Sequence, residues 1–240
     1  MRTQIIADLG INALGNVELC KQQIDLATAS GVDAIKMQVY NSERLHGEGS
    51  PVYKDAKRGE FSYEHFRVLA DYCPIEWFAS AFDENAVELL EDIGVKRHKV
   101  ASRSLTDWAL LQVIAKTKKP VILSTGNHDT GAIKKALDIL GNKVTLLYCV
   151  PNYPTKIQDL NFNRMEKLRD LFKVPIGFSD HTTGIWASIE ATRLGAMVIE
   201  KHFTVSRSLG GVDQPCSMEP YEMKLLVKSI RQMECFQNEL

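Results

Sequence analysis

The sequence has no paired-cysteine motif, no long apolar run, no excess of charge of either sign and no glycine-rich nucleotide loop. Each absence removes a class of protein. The five cysteines (Cys20, Cys73, Cys149, Cys216 and Cys235) are odd in number and widely spaced, with no CxxC among them. Neither a disulfide framework nor a Cys-rich zinc site is expected, and reduced thiols in a cytoplasmic protein are the simplest account. No apolar stretch approaches the length of a membrane span. The opening residues, MRTQIIADLG, turn polar too soon for a signal peptide. The formal net charge is −1, so no global field favours nucleic acid or a membrane surface, and Lys118–Lys119 reads as solvated surface. No internal repeat, linker or shift of composition divides the chain.

What is present is a regular alternation of strand and helix patterns over 240 residues, with ordinary hydrophobic (45%) and charged (25%) content. Strands are expected at Gln4–Leu9, Asp33–Val39, Ile75–Ala79, Arg97–Ala101, 121–125 behind Pro120, Lys143–Cys149, Val174–Phe178 and Met197–Ile199. Helical spacing follows each one. Val17, Cys20, Ile24 and Ala27 share one face of the first helix, which Gly31 ends. Further helices are expected over Ser62–Tyr72, from Asp83 to Gly94, Thr106–Lys116, Thr130–Leu140, Asn163–Leu171 and Pro220–Gln237. The last presents Met223, Leu226, Ile230 and Met233 inward. Between the second strand and its helix runs Tyr40–Phe61, a long polar stretch read as a lid or binding loop. Eight βα units in one chain of this length predict an α/β fold, a single-domain (β/α)8 TIM barrel over residues 1–240. A doubly wound open sheet is the alternative, disfavoured because no GxGxxG follows the first strand.

Barrel sites form at the carboxyl ends of the strands, so the polar residues there are the candidates. The seventh strand runs into Ser179, Asp180 and His181, and the eighth into Glu200, Lys201 and His202. Alternation puts Ser179 with His181, and Glu200 with His202. A helix between these strands makes them parallel neighbours, so the two imidazoles should emerge side by side and could hold a divalent metal. The competing reading makes His181 a turn cap and His202 a hydrogen-bonded core residue. Lys36 and Lys99 each interrupt an apolar strand, and a lysine facing a barrel interior is costly unless paired or binding something. With Gln38, Ser80, Ser102, Ser124 and Ser179 they suit a phosphate or carboxylate. Asn12, Thr125 and Tyr153 join the same mouth. Asp8, Asp180, Glu200 and Asp213 are candidate acids or bases. The residues imply metal-assisted carbonyl chemistry with a phosphorylated substrate. They do not separate condensation, aldol cleavage and isomerisation.

Seven motifs then fall in order: IKMQ (Ile35–Gln38), KVAS (Lys99–Ser102), VILSTG (Val121–Gly126), YCVPNYPT (Tyr148–Thr155), GFSDHT (Gly177–Thr182), EKHFT (Glu200–Thr204) and GGVDQPCSMEP (Gly210–Pro220). Together they resemble the catalytic barrel of the N-acetylneuraminate (sialic acid) synthase family and its legionaminic and pseudaminic acid relatives. The resemblance implies a transferase that condenses phosphoenolpyruvate with an N-acetylated amino sugar, N-acetylmannosamine or a related 2-acetamido sugar, and releases phosphate. It implies a divalent Mn2+ or Mg2+ on His181 and His202. Lys36, Gln38, Ser80, Lys99, Ser102, Ser124 and Ser179 would hold phosphoenolpyruvate, and Tyr153 and Asp213 would face the sugar. Asp8, Lys36, Lys99 and Asp213 are the catalytic candidates. It also implies a cytoplasmic location and allows a homodimer. The alternatives are a related 3-deoxy-2-keto acid synthase with another aldehyde acceptor, or a non-catalytic ligand-binding homologue. The departures cluster on the sugar side. Asp8 stands where the family usually has glutamate, Ala13 where it has histidine, Arg103 where it has glycine, Ser104 where it has a second glutamate, and Pro151 where it is usually polar. The family's C-terminal antifreeze-like domain, which contributes to the dimer, is expected to be absent.

Overall fold

A computed structural model describes residues 2–238, with side chains through 236. Eight parallel strands close into a barrel in chain order: β1 (Gln4–Asp8), β2 (Ala34–Val39), β3 (Glu76–Ala81), β4 (His98–Val100), β5 (Val121–Ser124), β6 (Val144–Tyr148), β7 (Ile176–Asp180) and β8 (Val198–His202), with β8 pairing back to β1. The expected (β/α)8 barrel is the observed fold.

The helices are α1 (Val17–Ala29), α2 (Ser42–His46), α3 (Tyr53–Gly59), α4 (Tyr63–Tyr72), α5 (Glu84–Ile93), α6 (Trp108–Lys116), α7 (Thr130–Leu140), α8 (Phe162–Phe172), α9 (Trp186–Arg193) and α10 (Pro220–Asn238). Their starts are written locally. Asn16, Ser62, Asp83, Asp107 and Asp129 each accept a hydrogen bond from a backbone N–H in the first turn of the helix that follows. That satisfies donors the helix itself cannot, about 1 kcal/mol per cap. The strands that line the barrel are buried almost throughout.

Three expectations are corrected. The stretch Tyr40–Phe61 is not an irregular loop, because it contains α2 and α3. Asn41 caps α2, and Ser42 Oγ donates to Glu60 Oε2 at 2.5 Å, which ties the two ends of the segment together. Its polarity hid the short helices, whose few apolar residues are too sparse to show a period. Strands β7 and β8 extend through Asp180 and His202, two and three residues beyond their apolar runs, because their polar ends face a cavity or a buried partner rather than solvent. In α10, Met233 is only half-buried, and Glu234 takes the inward place by accepting from the Thr3 N–H at 2.5 Å and from Arg231.

The amino end of the barrel is shut. Arg97 makes a two-pronged contact with Glu76, 2.8 Å on each prong, and donates to Gln4 Oε1 at 2.6 Å. The carboxyl end is therefore the open one. Near their starts, β7 and β8 approach closely at Gly177, where an added Cβ would come within 2.4 Å of the Val198 carbonyl oxygen. Outside the barrel, Lys201 Nζ lies 3.0 Å from Asp180 Oδ2 and donates to the Thr182 carbonyl at 2.6 Å, with both side chains fully buried. Asp180 also accepts from Thr182 N–H and Oγ and from Ser188 Oγ. This cluster fixes the turn that carries His181. Breaking a buried pair strands the remaining charge. Asp180→Ala is expected to lower unfolding stability by about 3 kcal/mol or more, read from urea denaturation; a loss under about 1 kcal/mol, the worth of an exposed pair, would show that the cluster does not anchor this turn.

Candidate active site

The site begins with register. Asp8 is the pairing partner of both Lys36 on β2 and His202 on β8, Gln38 pairs with Ser80, Ser80 with Lys99, and Ser179 with Glu200. All these side chains therefore rise at the open end within about one layer of the barrel. Lys36 Nζ is 2.7 Å from Asp8 Oδ2 and 3.7 Å from Glu200 Oε2. Lys99 Nζ is 3.7 Å from Glu200 Oε1 and donates to Ser124 Oγ at 2.8 Å. Ser179 Oγ donates to Glu200 Oε1 at 2.8 Å, and the Gly10 N–H donates to Asp8 Oδ1 at 3.0 Å.

These groups set one another's protonation. Burial alone would push the Asp8 and Glu200 carboxyls up, but the ammonium of Lys36 beside both outweighs it and holds them below the usual carboxylate range. Burial would lower Lys36, yet Asp8 and Glu200 raise it. Lys99 differs. Burial lowers it, the nearby Lys36 charge adds to that, and Glu200 offsets them only in part. The floor thus carries alternating charges, with Lys99 the ammonium least compensated by carboxylate.

The two imidazoles stand on the adjoining wall. Their ring centroids are 5.7 Å apart, and the Tyr153 ring lies 4.2 Å from His181 and 5.8 Å from His202. His181 Nδ1 is 2.8 Å from the Val150 carbonyl, the tautomer in which Nδ1 donates and Nε2 keeps its lone pair. Burial first, then His202, pulls the His181 pKa down to about 4, so the ring is neutral near pH 7. His202 Nδ1 is buried without a hydrogen-bond partner, 4.0 Å from Asp213 Oδ2, and its Nε2 is 3.6 Å from Asp8 Oδ2. Gly10, at φ +49, allows this approach: a Cβ there would sit 2.7 Å from Asp213 Oδ2 and 3.1 Å from His202 Nδ1. Two imidazoles side by side, that of His181 neutral with its Nε2 lone pair free, suit a divalent metal. Among the described residues, no group of three or more His, Cys, Asp or Glu side chains is arranged to hold an ion, so the protein's own contribution would be the two histidines.

The walls enclose a cavity of about 660 Å³. All twelve expected site residues line it: Asp8, Lys36, Gln38, Ser80, Lys99, Ser102, Ser124, Tyr153, Ser179, His181, His202 and Asp213. Ser80 Oγ and Glu200 Oε2 face it buried and with no hydrogen-bond partner, a cost of about 1–3 kcal/mol each that a ligand could relieve. Three strand-end residues lie elsewhere. Asp180 faces outward to Lys201, as alternation with Ser179 and His181 requires, so it is no candidate acid in this cavity. Asn12 Nδ2 donates to the Phe203 carbonyl and to Ser217 Oγ, and Thr125 Oγ donates to the Leu147 carbonyl.

The structure adds residues that strand-end reasoning passed over. Cys149 lines the cavity next to Lys99, its thiol pushed up by burial. The α2–α3 segment supplies Leu45, His46, Val52 and Ala56 to the wall, and Ala56 packs with Ile11 and Tyr40, whose hydroxyl donates to the Ala56 carbonyl at 2.7 Å. Arg103, set aside as a departure from the family pattern, lines the rim. The alternation of apolar and polar residues that marks strand ends does not extend to such loop residues.

Comparison with known proteins follows the same outline. Residues 23–239 match the model of the NeuB family. The chain is 39% identical over 255 residues to the N,N'-diacetyllegionaminic acid synthase of Legionella pneumophila, covering 96% of this chain and 72% of that protein. It is 32% identical over 250 residues to human N-acetylneuraminate-9-phosphate synthase, covering 96% of this chain and 70% of that one. The crystal structure of the N-acetylneuraminic acid synthetase of Leptospira borgpetersenii in complex with citrate superposes with a TM-score of 0.95 at 35% identity, over 99% of this chain and 85% of that one. With the family model spanning most of its length and a barrel that coincides with that of a solved relative, this chain belongs to the NeuB family.

Proposed function

We propose that the protein condenses phosphoenolpyruvate with the open-chain form of an N-acetylated amino sugar, giving a nonulosonic acid of the sialic, legionaminic or pseudaminic type and free phosphate. The observation that carries this reading is the floor of the cavity: Lys36, Lys99 and four serines face one space beside the imidazoles of His181 and His202. Relatives named as synthases of such acids, at 32–39% identity over nearly the whole chain, support the same chemistry.

Each group has a physical task. The two ammoniums and the hydroxyls of Ser80, Ser102, Ser124 and Ser179, with the Gln38 amide, hold the phosphate and carboxylate of phosphoenolpyruvate by charge-assisted hydrogen bonds. Lys99, least compensated, gains most from an arriving anion. Asp8 and Glu200 keep the lysines oriented before substrate arrives, so little reorganisation is needed. His181 and His202 would hold a divalent metal, which when bound supplies Lewis acidity to the sugar aldehyde. The charges agree with that: Lys36, Lys99 and Arg103 face Asp8, Glu200 and Asp213 around the cavity, so an anionic substrate leaves an excess of negative charge that a dication balances. Tyr153 and Asp213 lie on the imidazole side, where the sugar would extend. The enol carbon of phosphoenolpyruvate forms the new bond to the aldehyde carbon, water adds at the neighbouring carbon, and phosphate departs from it. Glu200, with Oε2 free of hydrogen bonds, is the carboxylate placed to accept the proton of that water.

Phosphate release from phosphoenolpyruvate, measured with a panel of N-acetylated hexosamines with and without manganese or a chelator, is expected only when both sugar and metal are present. Binding of phosphoenolpyruvate with no release for any acceptor would overturn the proposal in favour of a non-catalytic homologue. His202→Ala is expected to abolish metal-dependent turnover, and unchanged activity in that variant would remove the metal assignment. Lys99→Met is expected to cut kcat/KM for phosphoenolpyruvate by about 100-fold or more; a change below threefold would place the anion elsewhere.

A further inference from the structure

The rim of the cavity carries a cation that the condensation does not use. Arg103 follows Ser102 in the turn after β4, so it leaves the barrel where the floor ends. Its Nη2 donates to the Leu45 carbonyl at 2.9 Å and its Nη1 lies 3.4 Å from His46 Nε2, both in α2. The guanidinium is therefore held at the level of the α2–α3 cover, above Lys36 and Lys99, which sit within the barrel strands. Burial first, then Arg103, lowers the His46 pKa, so the imidazole is neutral and accepts from the guanidinium rather than competing with it. Both residues line the cavity. Among the described residues, no carboxylate forms an ion pair with Arg103, whereas Lys36 and Lys99 both have Glu200 within 3.7 Å. A planar fork of donors with one carbonyl and one imidazole as partners retains capacity for a bidentate anion.

We propose that Arg103, positioned by Leu45 and His46, forms an anion subsite at the cavity rim that takes a phosphate or carboxylate on the acceptor sugar, at the end remote from its aldehyde. This rests on the proposed condensation, and it narrows the acceptor from any N-acetylated hexosamine to an acidic one. Two positions along the chain agree. The residue after Arg103 is Ser104, which is buried, donates its N–H to the Ala101 carbonyl and does not line the cavity, so this turn presents a positive charge to the rim with no carboxylate beside it. The floor already holds two ammoniums and four serines for phosphoenolpyruvate, which leaves the rim cation to the second substrate. A relative at 32% identity is named as the synthase of a phosphorylated product, so a phosphate on the sugar is compatible with this barrel.

The test compares N-acetylmannosamine, N-acetylmannosamine 6-phosphate and N-acetylmannosaminuronic acid as acceptors, for the wild type, Arg103→Gln and Arg103→Lys. The wild type is expected to favour an acidic sugar over the neutral one in kcat/KM, and the two acidic sugars tell phosphate from carboxylate. Arg103→Gln should reduce that preference by about tenfold or more, chiefly through KM of the acidic sugar, and Arg103→Lys should recover part of it. A wild type that prefers the neutral sugar, or a loss in Arg103→Gln that is equal for all three sugars or confined to KM for phosphoenolpyruvate, would overturn the subsite. If no sugar supports phosphate release, the condensation itself fails and calorimetric titration with N-acetylmannosamine 6-phosphate decides the subsite alone. Weaker binding by Arg103→Gln upholds it, and equal or absent binding by both proteins overturns it.

Discussion

Lys36 can be buried only because Asp8 is opposite it. An ammonium taken out of water costs several kcal/mol after all relaxation, and one carboxylate at 2.7 Å with a second at 3.7 Å offsets that cost. The same two carboxylates would be as costly without the lysines. Asp8 comes from β1, Lys36 from β2 and Glu200 from β8, so the network spans the seam where the barrel closes. A one-residue slip of β1 would turn Asp8 to the outside and leave Lys36 with Glu200 alone, at 3.7 Å. The ion pairs thus fix the closing register, and the closed register in turn fixes the geometry of the anion floor. Under the proposed function, stability and substrate binding are properties of one set of contacts.

That coupling explains why so much of the site was legible before any coordinates. A lysine in the middle of an apolar strand conflicts with the binary pattern, and such a conflict persists only where something compensates it. Lys36 and Lys99 are two such conflicts. Period-2 alternation paired Ser179 with His181 and Glu200 with His202, and the structure puts all four on the cavity, while Asp180, counted among the candidate acids, turns outward to Lys201 as the same alternation requires. The eight-unit barrel was legible for the same reason: each strand is an apolar run, and α1, α4, α5, α6 and α7 begin with a capping side chain.

The rest was not legible because it depends on chain reversals that carry no period. The segment between β2 and α4 looks like a solvated loop, yet α2 and α3 fold over the cavity through a few contacts. These are Ile11 with Ala56, Tyr40 on the Ala56 carbonyl, and Arg103 on the Leu45 carbonyl. Each joins residues far apart in sequence, so no local window shows it. The strand ends β7 and β8 were underestimated because polar residues normally mark the end of a strand, while here Asp180, Lys201, Glu200 and His202 are buried in pairs.

The division between strand-borne floor and loop-borne rim has a consequence for how such a barrel changes specificity. A substitution in the floor breaks a buried charge network and costs stability, so the half proposed to hold phosphoenolpyruvate is constrained twice over. A substitution at the rim meets no such penalty. Arg103 is exposed, its partners are a backbone carbonyl and a neutral imidazole, and its loss strands no buried charge. The acceptor half can therefore vary while the anion half is held. The positions that depart from the family pattern bear this out in part: Arg103 and Ser104 lie on a turn, Ala13 in the β1–α1 connection and Pro151 in the β6–α8 connection. Asp8 is the exception, and it is the one departure that keeps its charge, as its pairing with Lys36 demands.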